Sequence, residues 1–407
     1  MEQKIAIVGG GITGLTASFY LAKAGYQVSI FEKDSELGGL AKGFKKTNWQ
    51  WSLENFYHHL FTNDDKALKL ITKLNLNKKI LVLSPKSSIL FKNTINRFDS
   101  AISLLRYPYL SLPDKIRTAL ITGYLKITNN WLALEKIPAK DWLVKYYGQN
   151  SFEILWEPLL KAKFSDNWKQ ISMAWFWARI KKRTTNLIYL EGGFNLLVEK
   201  LAEEIKKNQG QIYLNQPITN LNDLTKKGFK KILITTPASQ FLKINQPKML
   251  GSLVLILSLK KQLLTDNTYW LNINDPGFPF LAVVEHTNFI DKKYYSGQHL
   301  VYIGGYYPQD HQYFKMTKQQ IYDEFLPYLK KINPSYNFSL LTFHFELFSD
   351  LNAQPVIPTN YSRNLSSFKT KIPGVYIANL SMVYPWDRGI NYAIELGEKA
   401  ADEILNS

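Results

Sequence analysis

Three glycines and one carboxylate near the N-terminus have the types and spacing of a dinucleotide site. Gly9, Gly11 and Gly14 form a Gly-x-Gly-x-x-Gly pattern, and Glu32 follows 18 residues after the last of them. Gly9 permits a tight turn, Gly11 leaves room for a pyrophosphate beside the backbone, and Gly14 lets a helix pack closely on a strand. The Glu32 carboxylate can accept hydrogen bonds from a ribose diol, which disfavours a 2′-phosphate and therefore NADP.

A strand, a helix and a second strand must position these residues. Lys4–Val8 is an apolar run typical of a buried strand, and apolar residues then recur with a helical period over residues 12–22. Gly25 stands where a helix commonly ends, and Gln27–Glu32 is the second predicted strand. The helix N-terminus would offer free N–H groups and a partial positive charge to phosphates. The cofactor-binding residues predicted in this unit are Gly9, Gly11, Ile12, Thr13, Gly14, Glu32 and Lys33.

The run that follows resembles the extended FAD signature of the flavin-containing amine oxidase superfamily. It reads Glu32-Lys33-Asp34-Ser35-Glu36-Leu37-Gly38-Gly39-Leu40. That group includes protoporphyrinogen oxidases, phytoene desaturases and UDP-galactopyranose mutases. In it a Gly-Gly pair lies against the cofactor, and many members place Arg after the glycines, where this chain has Leu40. The resemblance implies FAD, and Leu40 is a departure that puts an arginine contact to the phosphates in doubt.

Three later segments resemble the same superfamily in order and spacing. Tyr189–Phe194 looks like its mid-chain Gly-Gly element, which a helix follows. Gln211–Ile218 looks like the strand that reaches the adenosine, with Ile218 at the contact. Lys231–Pro237 looks like the next strand and its turn. Pattern alone predicts one helix and two strands here, and the functional meaning comes from the resemblance.

The C-terminal segment resembles the last strand and helix of the superfamily's FAD domain. Gly374–Asn379 looks like the strand, with Asn379 where an acid is usual, and Tyr384–Ala393 leads into a predicted helix. The resemblance places the N-terminus of that helix at the flavin, where it can stabilise negative charge on the reduced ring. The further cofactor-binding residues that the resemblance implies are Gly38, Gly39, Leu40, Ile218, Asn379, Gly389, Ile390 and Asn391.

The middle of the chain resembles a protoporphyrinogen-oxidase-like branch and, more faintly, galactopyranose mutases. The segments that carry this resemblance are Leu53–Asp64, Leu155–Phe164 and Met173–Ile180. The candidate catalytic residues are His58, His59, Arg179, Arg183, Trp386, Arg388 and Asn391. A surface or structural role is the alternative for the histidines, and a solvated basic face is the alternative for the arginines.

These observations predict an α+β fold in which a Rossmann-type α/β domain binds FAD beside a discontinuous substrate domain of helices and sheet. Segments 1–50, 186–250 and 350–407 are assigned to the FAD-binding domain, and 51–185 and 251–349 to the substrate or cap domain. The predicted reaction takes hydride from a lipophilic or glycan-related small molecule to flavin N5. A non-redox sugar-nucleotide mutase and a flavin-bound protein without turnover are the alternatives.

Composition restricts the remaining possibilities. The 407-residue chain has no cysteine, which excludes disulfides, thiolate metal sites and a flavin tethered through cysteine, so we expect FAD to be held non-covalently. The six histidines lack metal-ligand spacing, and no metal site is predicted. The net charge is +17, but no nucleic-acid-binding motif accompanies it, so a nucleic-acid partner is not expected. Without a signal peptide or membrane span, the expected location is cytoplasmic; the oligomeric state stays open.

Residues 100–135 predict docking on the inner face of a membrane. Apolar and aromatic residues there cluster around two prolines, and basic residues flank them, as in monotopic interfaces. The alternative is that the apolar residues form the core or the substrate tunnel of the cap. The apolar cluster consists of Leu104, Leu105, Tyr107, Tyr109, Leu110 and Leu112, and the flanking cations are Arg106, Lys115, Arg117 and Lys126.

Overall fold

The computed structural model describes residues 4–244 and 246–407. Its strands are β1 (Lys4–Val8), β2 (Gln27–Phe31), β3 (Gly43–Phe44), β4 (Leu53–Glu54), β5 (Leu60–Phe61), β6 (Ile80–Leu83), β7 (Lys86–Phe91), β8 (Thr94–Arg97), β9 (Leu187–Leu190), β10 (Gln211–Tyr213), β11 (Lys231–Ile234), β12 (Met249–Leu259), β13 (Thr268–Ile273), β14 (Ala282–Glu285), β15 (His299–Pro308), β16 (Thr342–Pro355) and β17 (Val375–Ile377). Its α-helices are α1 (Ile12–Lys23), α2 (Asp65–Lys73), α3 (Ala101–Arg106), α4 (Leu112–Ile127), α5 (Trp131–Leu134), α6 (Ala139–Tyr147), α7 (Gln149–Ser151), α8 (Glu157–Phe164), α9 (Met173–Lys182), α10 (Asn195–Lys207), α11 (Leu221–Lys226), α12 (Lys318–Ile332), α13 (Phe338–Leu341) and α14 (Ile390–Leu405).

Five parallel strands form the first sheet, in the order β10-β2-β1-β11-β17. In its central strand, Ile5 and Ile7 pack into a core with α1, α10 and α14, whereas Ala6 and Val8 pack into a second core on the other face. Burial on both faces explains why this strand is continuously apolar. With helices and sheets both present, the predicted fold class is confirmed.

A seven-stranded sheet forms the second layer, in the order β16-β12-β15-β14-β13-β7-β8. Its last two strands, β7 and the edge strand β8, come from the 51–185 insertion. β7 pairs in parallel with β13, while the other pairs are antiparallel. Helix α12 packs against one face of this sheet. The two insertions therefore share one sheet.

A three-stranded sheet links the segment 186–250 to the insertion 51–185. β9, which lies within the segment 186–250, pairs with β5 and β6 of the 51–185 insertion. That insertion carries helices α2 to α9, and it also contributes strands to both of these sheets.

The predicted strand Gln211–Ile218 is too long. β10 ends at Tyr213, because Asn215 adopts a left-handed conformation with φ +53°. The backbone N–H groups of Asn215 and Gln216 donate to the carbonyl oxygens of Asp34 and Glu32, which turns the chain beside the end of β2. Ile218 is partly buried and packs on the core of the parallel sheet.

Half of the apolar cluster predicted for membrane docking lies inside the cap instead. Leu104, Tyr107 and Leu110 are buried in a core that includes Ile154 and Leu155. For these three residues the alternative interpretation, a role in the core of the cap, is the one that the structure supports, because α3 and the turn after it pack on the segment before α8.

Candidate active site

The glycine loop between β1 and α1 disfavours a side chain at Gly9 and Gly14 and leaves open space beside Gly11. Gly9 has φ +107°, which favours glycine, and a Cβ added at Gly14 would clash with the carbonyl oxygen of Gly9. At Gly11 the nearest atom to an added Cβ is the Cα of Gly39, 3.9 Å away. The space beside Gly11 is thus open, as the backbone approach of a pyrophosphate requires.

Helix α1 begins beside this open space without a protein cap. Gly11 occupies the N-cap position, has no side chain to cap the first turn, and no other side chain caps it. Ile12 is buried, and Thr13 is partly exposed. The first N–H groups of a helix lack intrahelical acceptors, so the start of α1 fits an anionic group such as a pyrophosphate.

Glu32 fixes the loop from the end of β2. Its Oε2 accepts a hydrogen bond from the backbone N–H of Gly10 at 2.6 Å, and its Oε1 accepts from the N–H of Asp34 at 3.0 Å. A carboxylate has about four lone-pair sites, so acceptor capacity remains for a ribose diol. Lys33, the next residue, is exposed.

The second glycine pair lies directly against the first loop. Gly38 donates its N–H to the carbonyl oxygen of Gly10 at 2.9 Å and has φ +115°. Leu40 is partly exposed, and the nearby Lys42 pairs with Asp34 at 3.0 Å. This arrangement brings the two glycine segments together, with Leu40 and not an arginine after the second pair.

Helix α14 also begins at an uncapped glycine. Gly389 occupies its N-cap position, and an added Cβ there would meet no atom within 4 Å. Ile390 is buried, and α14 packs closely against α1 at Gly397, where an added Cβ would lie 2.6 Å from the carbonyl oxygen of Thr13. Two uncapped helix starts on two packed helices can receive two electron-rich parts of one cofactor.

Two predicted cofactor residues of the C-terminal region also hold the protein itself together. The Oδ1 of Asn379 accepts from the N–H of Ser381 at 3.1 Å and from its hydroxyl at 2.7 Å. The Oδ1 of Asn391 accepts from the N–H of Ala67 at 3.0 Å, in the first turn of α2. Both asparagines are buried, so their amides stabilise the loop before α14 and the position of α2.

Four cations gather around one carboxylate where the cap meets the loop before α14. The Oδ2 of Asp387 lies 3.1 Å from the Nζ of Lys163 on α8 and 3.6 Å from the Nη1 of Arg179 on α9. The backbone N–H of Arg388 donates to the Oδ1 of Asp387 at 3.1 Å. Arg183 follows α9 and lies close enough to Arg179 for their charges to interact. Arg179, Arg183 and Arg388 were candidate catalytic residues in the sequence analysis. Lys163 was not recognised there.

Uncharged groups hold this cluster in place. Trp175 donates its indole N–H to the Oδ1 of Asp387 at 3.1 Å. Arg388 donates its Nε–H to the Oε1 of Gln354 at 2.9 Å and a second N–H to the hydroxyl of Tyr306, over whose ring its guanidinium lies at 4.9 Å. Since Gln354 and Tyr306 belong to β16 and β15 of the seven-stranded sheet, Arg388 is fixed between that sheet and the loop before α14.

The charges of the cluster shift one another's pKa values. Burial alone would raise the pKa of Asp387, but Lys163, Arg179 and Arg388 lower it to about 2. Burial and the two neighbouring arginines lower the pKa of Lys163, although Asp387 opposes them. The pKa of Arg183 is lowered, first by the charge of Arg179. A guanidinium still remains protonated, so the cluster has more positive charge than Asp387 can balance.

The cluster and the two histidines line a recess that water can enter, which is called the cavity below. Tyr57, His58, His59 and Asp387 are each partly accessible to water, and Arg183 is exposed, although all five are densely surrounded by protein. Side chains that are surrounded by protein and yet accessible to water line a concave space. This space lies next to the start of α14.

The two histidines are neutral at physiological pH. Burial lowers the pKa of His58 to about 4 and that of His59 to about 3. The Nδ1 of His58 lies 2.7 Å from the carbonyl oxygen of Phe56, which can only accept, so Nδ1 has the proton and Nε2 is a free acceptor. The Nδ1 of His59 lies 3.3 Å from the hydroxyl of Tyr269.

Trp386 lies in an aromatic stack. Its ring stacks on Trp177 at 5.2 Å and on Tyr392 at 5.8 Å, and the Nζ of Lys182 lies 5.0 Å from its centre. The stack joins α9 to α14 and so fixes the loop that contains Asp387 and Arg388.

Together, a parallel sheet with an uncapped glycine loop, an acidic residue at the end of β2 and a cap over a charged cavity define a flavin-dependent oxidoreductase with FAD as its cofactor. The chain belongs to the flavin-containing amine oxidoreductase family, whose sequence model matches residues 12–405.

Solved structures share the whole fold at low sequence identity. A candidate protoporphyrinogen oxidase from Exiguobacterium sp. 255-15 is 17% identical over all of both chains, with a TM-score of 0.78. Reduced UDP-galactopyranose mutase is 13% identical over all of this chain and 94% of that one, with a TM-score of 0.74. Putrescine oxidase bound to putrescine is 12% identical over all of both chains, with a TM-score of 0.70.

Curated relatives match over much shorter regions. The 4,4′-diapophytoene desaturase of Staphylococcus haemolyticus is 47% identical over 49 residues, which are 12% of this chain and 10% of that protein. The 4,4′-diaponeurosporene oxygenase of the same organism is 27% identical over 165 residues, which are 36% of this chain and 31% of that protein. These matches do not identify a substrate.

Proposed function

We propose that this protein oxidises a small molecule bearing an anionic group, with hydride transfer to N5 of non-covalently bound FAD. The observation that supports the proposal is the excess of positive charge in the cavity beside α14. The side chains of Lys163 and Arg179 pair directly with Asp387. The charges of Arg183 and Arg388 also interact with Asp387, and Arg388 interacts with the further negative charge of Asp350.

An anionic group would compensate this excess. Unbalanced charge in a cavity is costly, and arginine binds carboxylates and phosphates through paired hydrogen bonds. An ammonium group in the same place would meet repulsion from the arginines. We therefore infer that the substrates of this protein differ in charge from putrescine, which the structurally similar putrescine oxidase binds.

Different side chains of the cavity can bind the substrate, hold the binding residues in position and accept a proton. Arg179 and Arg183 would bind the anionic group, and Asp387 would hold Lys163 and Arg179 in position. FAD, held by the glycine loop and Glu32, would supply the hydride acceptor. In the oxidation, a carbon–hydrogen bond of the substrate breaks and a carbon–heteroatom double bond forms. The heteroatom then releases its proton to a base, and the free Nε2 of His58 can accept that proton.

An anaerobic reduction assay tests the proposal. The FAD-loaded protein is mixed with matched sets of alcohols or amines whose members differ only in a further group: a carboxylate, an uncharged group or an ammonium group. The bleaching of the flavin absorbance is followed. We expect bleaching with anionic members and slower bleaching with Arg179→Gln, whereas Arg97→Gln, a change on an exposed strand of the cap, should match the parent. Reduction by cationic amines alone would overturn the proposal.

The mutase remains a second candidate, because the structurally similar UDP-galactopyranose mutase shares the fold and a diphosphate would also suit these cations. Chemically reduced protein would be incubated anaerobically with UDP-galactopyranose. Isomerised sugar nucleotide without net flavin oxidation would favour the mutase. If no compound reduces the flavin and no sugar nucleotide is isomerised, the result would favour a flavin-bound protein without turnover.

A further inference from the structure

Helix α4 presents an apolar stripe to solvent. Its exposed large residues recur at nearly every fourth position, so they lie on one side of the helix, and the opposite side is buried through Thr118 and Leu125. Leu105 and Ile102 of α3 are also exposed. The stripe consists of Leu112 (63% exposed), Ile116 (50%), Leu120 (68%), Tyr124 (47%) and Ile127 (77%).

Basic residues flank the stripe on both sides. On the helical period, Lys115 and Lys126 fall on one flank and Arg117 on the other. Each donates a hydrogen bond to a backbone carbonyl oxygen, which fixes the cation without neutralising it. Residues 101–148 contain seven basic and three acidic residues, and one of those acids, Glu135, is buried.

We propose that the stripe of α4 docks on an anionic membrane surface, with its aliphatic side chains in the head-group boundary and the flanking cations against lipid head groups. Aliphatic and aromatic residues between flanks of cations match the chemistry of such a surface. No helix in residues 4–244 and 246–407 has the length and apolarity to cross a bilayer, so the contact is with one leaflet.

Charge favours a membrane over a second copy of this chain. A symmetric dimer through α4 would place the same basic flanks opposite each other, and facing like charges oppose association. An anionic bilayer instead supplies the complementary charge to both flanks together.

The docked helix is joined directly to the cavity. Lys126 near the end of α4 donates to the carbonyl oxygen of Arg183, and Lys181 of α9 donates to the carbonyl oxygen of Lys126 at 2.7 Å. Docking would therefore hold the end of α9, and Arg183 with it, close to the lipid head groups. This position would suit an amphiphilic substrate with an anionic head.

Vesicle co-sedimentation tests the docking without any substrate. The FAD-loaded protein is mixed with vesicles of phosphatidylcholine alone or with phosphatidylserine, at low and at high salt. We expect sedimentation with the anionic vesicles and its loss at high salt. The triple variant Leu112→Ser/Ile116→Ser/Leu120→Ser should stay in the supernatant with normal flavin content. The matched control Leu340→Ser/Phe343→Ser removes exposed apolar residues from α13 and β16 and should sediment like the parent.

Two results would overturn the inference. One is parent protein that stays in the supernatant under every condition. The other is a parent dimer that the triple variant abolishes while vesicle binding is absent, which would assign the stripe to a second copy. Since neither result involves turnover, the docking and the proposed function can fail separately.

Discussion

The Nζ of Lys163 lies 3.1 Å from the Oδ2 of Asp387, although 224 positions separate them in the chain. Lys163 lies on α8 of the cap, and Asp387 lies in the loop before α14. The pair therefore connects the two parts of the molecule at the cavity, and the Lys163 side chain is only 6% exposed.

The first prediction concerns the stability of the charge cluster. Asp387→Asn should lower the free energy of unfolding by about 3 kcal/mol, because removing one partner leaves buried cations uncompensated. Urea unfolding measures the change. The double variant Lys163→Met/Asp387→Asn should recover part of the loss, since it also removes one of those cations; a double variant no more stable than the single one would contradict the assigned pairing.

The second concerns the pyrophosphate approach. Gly11→Val should abolish FAD binding, because its side chain would fill the open space beside Gly39. The flavin released from purified protein by denaturation is measured and identified as FAD or FMN. Gly123→Ala, a change in open space on α4, is the control and should keep its full FAD content. Normal flavin in Gly11→Val, or FMN in the parent, would remove the assignment of the loop.

The third concerns the carboxylate at the end of β2. Glu32→Ala should weaken FAD binding by about 1–3 kcal/mol, the scale of a hydrogen bond to a charged group. Fluorescence titration of the apoprotein with FAD measures the affinity, and exposed Glu36→Ala is the control. Since Glu32 also accepts from the N–H of Gly10, thermal unfolding of the apoprotein is followed in parallel. Unchanged affinity would contradict the ribose contact.

The fourth concerns pH and the buried Glu54. Burial raises the pKa of Glu54 from 4.5 to about 7, although the N–H of Phe194 and the hydroxyl of Tyr189 donate to it. The folded state thus binds a proton that the unfolded state releases, so the contribution is full below about pH 4.5 and is lost as the pH rises toward 7. Glu54→Gln should lack this decline, which is on the order of 3 kcal/mol. Parallel pH profiles of the two proteins would contradict the raised pKa.

The cofactor half of the site could be predicted from the sequence because its signals are local. The glycine spacing, the strand β1 and the helix α1 follow from patterns within 30 residues, and Gly25 ends α1 as predicted, with φ +88°. The terminal helix α14 was likewise predicted from its apolar period and the preceding loop.

The cavity depended on contacts that no local pattern encodes. Lys163 pairs with a residue far along the chain, although its place beside buried Leu159, Leu160 and Phe164 on α8 was a usable signal of burial. Gly397 could have been noticed as a glycine inside an otherwise regular helix, where close packing is the usual reason. The strands β7 and β8 were missed because β7 gains its partner β13 from the second insertion, and β8 pairs in turn with β7.

The charge preference of the cavity is the most direct test of the account. Benzoate and benzylammonium share a ring and differ in charge, and flavin difference spectra measure the binding of each to the FAD-loaded protein. The account predicts that benzoate perturbs the spectrum, that benzylammonium binds more weakly, and that Arg179→Gln weakens benzoate by about tenfold, or ~1.4 kcal/mol. Tighter binding of benzylammonium, with no effect of Arg179→Gln, would contradict a cavity built for an anionic substrate.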